Sequence, residues 1–412
     1  MVPHVPTEAE RLAAVRALLP ALDAGIYLNA GTSGPLPAET AAVMAQMADY
    51  ELTVGRGHID GFHDFLQRMD EARASVAAVL TADPDDIALT HAATDGMNIG
   101  VHGIEWAAGD RAITTRLEHP GGTGPLYVLR ERRGVDLEFV DVGDGGDHDR
   151  IVAAFDAAID ARTRAVVISH VLWATGAILP VRAIADIAHA RGALVIVDGA
   201  QSAGAIPVDL EATGADVYAI PGQKWLLGPE GTGAVAVTRQ ARDRIRPTHA
   251  GYMSFERVDS AGDAAFWSSA RRYEGTGFHR PSVVGFARSL GWLSMFVGLP
   301  WIHERGARLA GLAHDRLSAI PGVEVITPRG HMATLVSFRI AGWTPEHAGA
   351  ELGARVFAVL RTVPLVDAIR ISVGFYNSEE ELERFAVAVE LLAAHTPETL
   401  PPRRTLAVLG GS

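Results

Sequence analysis

The chain has 412 residues, of which 48% are apolar and 21% charged, and carries a formal net charge of −13. That balance belongs to a globular protein with a sizeable core, and the acidic surplus excludes an electrostatic grip on nucleic acid or an anionic membrane. Cysteine is absent, which excludes disulfides, thiolate metal ligands and any step on a thiol of this chain. Of the 36 basic residues one, Lys224, is lysine and the other 35 are arginine.

The N-terminal stretch "MVPHVPTEAERLAAVRALL" has no basic segment leading into an apolar one, and no apolar run reaches membrane-spanning length. The cytoplasm is therefore the expected address. Seven short apolar runs follow: 86–90, 111–115, 136–142, 164–171, 193–198, 216–220 and 232–238. Amphipathic segments such as 150–160 and 181–192 lie between them. Buried strands alternating with helices predict an α/β fold around a largely parallel sheet. From about residue 265 the pattern changes to one long helical stretch (281–318), then strand, helix and strand at 333–341 and 368–376. This reads as a smaller α+β domain formed by residues 1–19 and 266–412, set against a large domain of residues 20–265. The Pro-rich tail from Thr396 is expected to be loosely held.

In open α/β sheets, ligands gather at the carboxyl ends of the strands. Asp198 closes the apolar run "ALVIV". It serves either as a cap for the turn "DGAQSAG" or as a carboxylate facing a cationic ring nitrogen. Lys224 follows the run at 216–220. Arginine meets every surface need of this chain but cannot act as an amine nucleophile near neutral pH, so the lone lysine reads as a nucleophile. "THAATDGMNIG" (90–100) opens a helix whose first N–H groups can meet a phosphate, a weak signal alone because such turns are common.

Together these motifs resemble the class V aminotransferase family, the cysteine-desulfurase-like branch of the fold-type-I pyridoxal phosphate enzymes. The resemblance runs from "YLNAGTSGPLP" (27–37) to "FYNSEEELERF" (375–385), with "VDGAQSAGAIPVDLEATGADVYAIPGQKWLLGPEGTGAVAV" (197–237) as its most specific part. "LEHPGGTGPL" (117–126), "SHVLWATGAILPV" (169–181), "LRTV…AIRISVGFY" (360–376) and "EGTG" (274–277) are most similar to the cysteine/cystine C–S lyases.

The resemblance implies pyridoxal 5'-phosphate as cofactor, held covalently by Lys224, with Asp198 on the pyridinium nitrogen and Gln201 on the phenolic oxygen. His119 stacks on the ring, although a His before Pro in a loop is more often structural when read alone. Ala93 and Thr94 bind the phosphate. Gly275 and Thr276 complete the phosphate cup of a partner subunit, which implies a homodimer. Arg370 binds the substrate α-carboxylate. Arg361 and Trp173 meet the rest of the substrate, Arg361 having a bland surface alternative. Two positions depart from the family pattern: Gln223 stands where relatives commonly have His, and Trp173–Ala174 where many carry Asn.

The implied reaction is β-elimination from cystine or another S-substituted cysteine, giving pyruvate, ammonia and a thiol or persulfide. An epimerase, an aminotransferase or a decarboxylating tailoring enzyme on an S-conjugated amino acid shares every cofactor contact. A scaffold without activity is the reading from another class, and it leaves the single retained lysine unexplained.

Overall fold

The computed structural model describes residues 7–403; the end of the expected loose tail, from residue 404, lies outside them. The seven runs form seven strands: β1 (Ile87–Thr90), β2 (Arg111–Thr115), β3 (Asp136–Val140), β4 (Thr163–Ser169), β5 (Leu194–Asp198), β6 (Val217–Pro221) and β7 (Gly233–Val237). They make one sheet in the order β1-β7-β6-β5-β4-β2-β3, in which only β7 runs antiparallel to its neighbours. Successive residues feed opposite faces. Val195 and Val197 join a core with Phe155 and Ile184, whereas Leu194 and Ile196 join another with Met97 and Leu126. Both faces are covered by helices, which is why the strands are apolar throughout rather than alternating.

A second sheet follows, with β8 (Val323–Val325), β9 (Leu335–Ile340), β10 (Arg361–Val363) and β11 (Ala368–Ser372) in the order β8-β9-β11-β10, all antiparallel. Its own core contains Val336, Phe338, Ile369, Ile371, Phe385 and Val389. The N-terminal helix Glu8–Ala17 sends Val15 into the larger core, while its Arg16 donates to Tyr376 O and pairs with Glu381 at 2.8 Å.

The long helical stretch is not one helix. Arg280–Gly291 passes through a π-helical segment (Trp292–Val297) into Leu299–Ser318 with a bend of 82°. The break has a local cause: Gly298 sits at φ +88, in the left-handed region, and Pro300 occupies the first turn of the helix that follows. No single helix among the described residues is long and apolar enough to cross a membrane.

The segment that begins at Glu274 is fastened from within. The Glu274 carboxylate is fully buried, pairs with Arg73 at 2.7 Å and accepts from the N–H of Leu89 at 3.0 Å. Burial raises its pKa, and Arg73 is the main influence opposing that. Removing one partner of such a pair strands a charge in the core. Arg73→Met should therefore lower stability by about 3–5 kcal/mol, read as a fall in the urea midpoint. An unchanged midpoint would mean that Glu274 folds as the neutral acid.

Candidate active site

The site lies where β4, β5 and β6 end and the smaller sheet arrives. Asp198 is the last residue of β5, in register with Ser169 of β4 and Ala219 of β6. It is buried, and Oδ1 accepts from the N–H of Ala200 at 2.9 Å. Lys224 follows β6 in a loop pinned by two backbone bonds, Gly34 N–H to Gln223 O at 2.7 Å and Leu227 N–H to Lys224 O at 3.1 Å. Burial lowers the Lys224 pKa from 10.5 to about 8; Asp198 opposes the shift, while Arg370 and Arg361 add to it. A small fraction of its amine, roughly a tenth, is thus uncharged at neutral pH, far more than for an ordinary lysine.

His119 caps the helix Pro120–Arg133, its Nδ1 accepting from the N–H of Gly121 at 3.0 Å. That bond assigns the remaining proton to Nε2. Burial first, then the Lys224 charge, lower its pKa, so the ring is neutral. It meets Trp173 edge to face, ring centroids 5.1 Å apart. Gln201 is committed at both ends, its Nε2 donating to Gly31 O and its Oε1 accepting from Trp225 Nε1, each at 2.9 Å. One Nε2 proton remains. Ala93 and Thr94 form the first turn of the helix Ala93–His102, whose N-cap, Ala92, supplies no side-chain acceptor. Its first N–H groups are left for an outside anion.

Two arginines come from the smaller sheet. Arg361 of β10 and Arg370 of β11 stand directly opposite in register, so both side chains leave the same face. Arg370 is fully buried and donates Nη1 to Trp173 O at 2.8 Å; its Nε and Nη2 have no partner among the described residues. Burial, reinforced by Arg361, lowers its pKa to about 9. Among the described residues no carboxylate answers this charge. Arg361 lies over the Trp173 ring at 5.5 Å and reaches Thr32 Oγ1 at 3.4 Å. A side chain at Gly31 would come within 2.9 Å of Arg370 Nη2 and 2.8 Å of Ser372 Oγ, so any Cβ here would displace the Arg370 fork or the loop.

Lys224, Asp198, His119, Trp173, Arg361 and Arg370 therefore converge. Gly275 and Thr276 do not join them. They line a groove of about 1340 Å³ with His91, Asp95 and Phe278, whose walls include none of those six residues. The side-chain amide of Gln223 has no hydrogen-bond partner among the described residues. Sequence reasoning passed over Glu118, which precedes His119. It accepts from the Ser169 N–H at 2.9 Å, from the Ser169 hydroxyl and from Thr115 Oγ1 at 2.9 Å, and burial pushes its pKa up to about 7. These bonds tie the His119 turn to the end of β4. An acid beside a motif histidine was the available signal; its burial was not.

The donor set fits pyridoxal phosphate: an amine of depressed pKa, a buried carboxylate, a neutral ring at the mouth and an uncapped helix N-terminus. The model for "Aminotransferase class-V" matches residues 26–385. A probable cysteine desulfurase from Methanothermobacter thermautotrophicus is 29% identical over 396 residues, 92% of this chain and 97% of its own length. The isopenicillin N epimerase of Amycolatopsis lactamdurans is 30% identical over 395 residues, 89% of this chain and 94% of its own. Among solved structures, two of the cystine C–S lyase C-DES superpose with a TM-score of 0.86 at 26% identity. One covers 91% of this chain and 98% of its own and carries glycine covalently linked to the PLP cofactor. The other covers 90% and 99% and holds the reaction product cysteine persulfide.

Uptake of pyridoxal phosphate by cofactor-free protein should accelerate as pH rises through about 8 and then level off, followed by visible absorbance. A rate that keeps climbing toward the ordinary lysine value would overturn the depressed pKa. Lys224→Arg should yield no visible band that borohydride abolishes. By motif, fold and site, the chain belongs to the class V aminotransferase family, the pyridoxal-phosphate-dependent enzymes of fold type I.

Proposed function

We propose that the enzyme cleaves a carbon–sulfur bond of cystine, or of another S-substituted cysteine, by β-elimination. The observation that carries this reading is the pair of guanidiniums facing the lone lysine, Arg370 buried with two free donors and Arg361 opposite it. Cystine and water give pyruvate, ammonia and cysteine persulfide, so no oxidant or reductant is needed.

When bound, pyridoxal phosphate supplies an electron sink at the substrate Cα. Lys224 would hold the group covalently, and its ε-amine, of lowered pKa, would serve as the base that takes the Cα proton. Asp198 would keep the ring nitrogen protonated, neutral His119 would cover the ring without adding charge, and Gln201 would offer its last Nε2 proton to the phenolic oxygen. Arg370 takes the α-carboxylate with the Nε–Nη2 edge of its fork, and Arg361 the distal carboxylate. The Cβ–S bond breaks with the electron pair leaving on sulfur. A persulfide anion is less basic than a thiolate and leaves more readily. Because this chain has no cysteine, sulfur departs in the product and not on an enzyme thiol.

We further propose a homodimer in which Gly275 and Thr276 reach the partner's phosphate; their place in a groove separate from Lys224 supports it. The cytoplasm remains the expected address. A second reading, epimerisation, is favoured by the 30%-identical isopenicillin N epimerase. It asks for Cα proton return without pyruvate.

Incubating the holoenzyme with L-cystine and assaying pyruvate and persulfide separates the two. Pyruvate supports elimination; deuterium exchange at Cα without pyruvate replaces it with epimerisation. Arg370→Lys should lower kcat/KM by about 30-fold or more, because one ammonium cannot reproduce the two-pronged contact.

A further inference from the structure

The turn after β4 carries Trp173, and four of its consecutive carbonyls are claimed by the smaller sheet or the segment leading into it. Arg370 Nη1 donates to Trp173 O at 2.8 Å, Ser337 Oγ to Ala174 O at 2.7 Å, Thr327 Oγ1 to Thr175 O at 2.5 Å and the Ala333 N–H to Gly176 O at 2.9 Å. The Thr327 hydroxyl in turn accepts from the Ser337 N–H at 2.8 Å. Ser337 and Thr327 are both buried, so each hydroxyl has a single proton and spends it on this turn. Gly176, at φ +79, brings the turn against the Leu335 backbone, where any Cβ would collide.

Two of these contacts lie in one row across the sheet, together with Arg361. Ser337 of β9 is opposite Arg370 of β11, which is opposite Arg361 of β10. All three side chains leave one face. Ser337 holds the Ala174 carbonyl, Arg370 the Trp173 carbonyl, and Arg361 lies on the Trp173 ring. The two unpaired donors of Arg370, Nε and Nη2, form one edge of its plane. That edge points where it does because Nη1 is tied to Trp173 O, and Trp173 O stays in place because the next carbonyl is tied to Ser337. The same peptide carries the ring that supports Arg361. One hydroxyl thus governs the relation between the two guanidiniums.

We propose that Ser337, backed by Thr327, is a specificity-determining positioning residue: it sets the spacing and angle between the Arg370 fork and Arg361, and so selects amino acids with two carboxylates over those with one. The proposal rests on the C–S lyase reading for its substrates, but its geometry requires only that amino acids bind here. A substrate with one carboxylate uses Arg370 alone and tolerates a tilt of the turn. One that spans both arginines does not.

The test compares L-cystine with S-methyl-L-cysteine on holoenzyme, with kcat and KM from pyruvate release and dissociation constants from the shift of the visible band on mixing. Ser337→Ala should raise both KM and the dissociation constant for cystine by about tenfold, with kcat within about twofold, and those for S-methyl-L-cysteine by no more than about twofold. Ser337→Thr, which restores the hydroxyl, should recover the cystine values. Thr327→Val should move the ratio in the same direction and stands in if Ser337→Ala does not fold. Equal effects on the two amino acids, or a fall in kcat with binding unchanged, would overturn the proposal. Wild-type enzyme that binds cystine without releasing pyruvate removes the lyase reading alone, since the band shift still reports the selectivity.

Discussion

Arg370 is a guanidinium buried without a carboxylate, and the site is organised around that fact. Removing a charge from water is costly unless a counter-charge or a full set of hydrogen bonds replaces the solvent. Elsewhere this chain meets the requirement: Arg73 has Glu274, and Arg305 has Glu8 together with the carbonyls of Phe375 and Asn377. Arg370 has one carbonyl. It sits on a central strand of the smaller sheet, against the turn that leaves the larger one, with its Nε–Nη2 edge unpartnered among the described residues. In the proposed function a substrate carboxylate offsets the cost of that burial.

The same loss of solvent tunes its neighbours. Burial is the first cause of the lowered pKa of both Lys224 and His119, and the arginines lower them further. Asp198 pulls the other way for both residues. Near neutral pH this gives a partly uncharged amine, a neutral imidazole and two positive guanidiniums beside the buried Asp198, with Glu118 buried next to His119. The chain as a whole is acidic, by thirteen charges, yet its site is locally cationic. In the proposed function it is this local field, and not the net charge of the molecule, that would attract an anionic substrate.

Much of this was legible before folding. The seven strands lie within a residue or two of their apolar runs, because a strand buried on both faces needs nothing but a short apolar segment between breakers. Lys224 was legible because its chemistry contrasts with every other basic residue. The 281–318 stretch was misread as continuous because its apolar spacing persists through Gly298 and Pro300, and only the backbone angle at Gly298 reveals the 82° bend. Glu118 escaped notice because an acidic residue in sequence looks solvated; its three donors come from Thr115 and from Ser169, fifty-one residues away. Gln223 was expected to depart from the family pattern, and nothing among the described contacts accounts for its side chain.

The sequence by itself singled out Lys224 and Asp198: the lysine because it is retained once among arginines, the aspartate because it closes an apolar strand, where a turn cap and a carboxylate on a ring nitrogen were both open readings until the family resemblance favoured the second. The resemblance named Arg361 and Arg370 among the 35 arginines, but only the tertiary structure showed that the two stand side by side and that Arg370 is buried. A guanidinium is always charged, so residue type cannot distinguish a solvated surface group from a buried one; the difference lies in burial and in what stands across the sheet. Register places Arg361 and Ser337 on either side of Arg370, and register is a property of paired strands that neither strand's sequence contains.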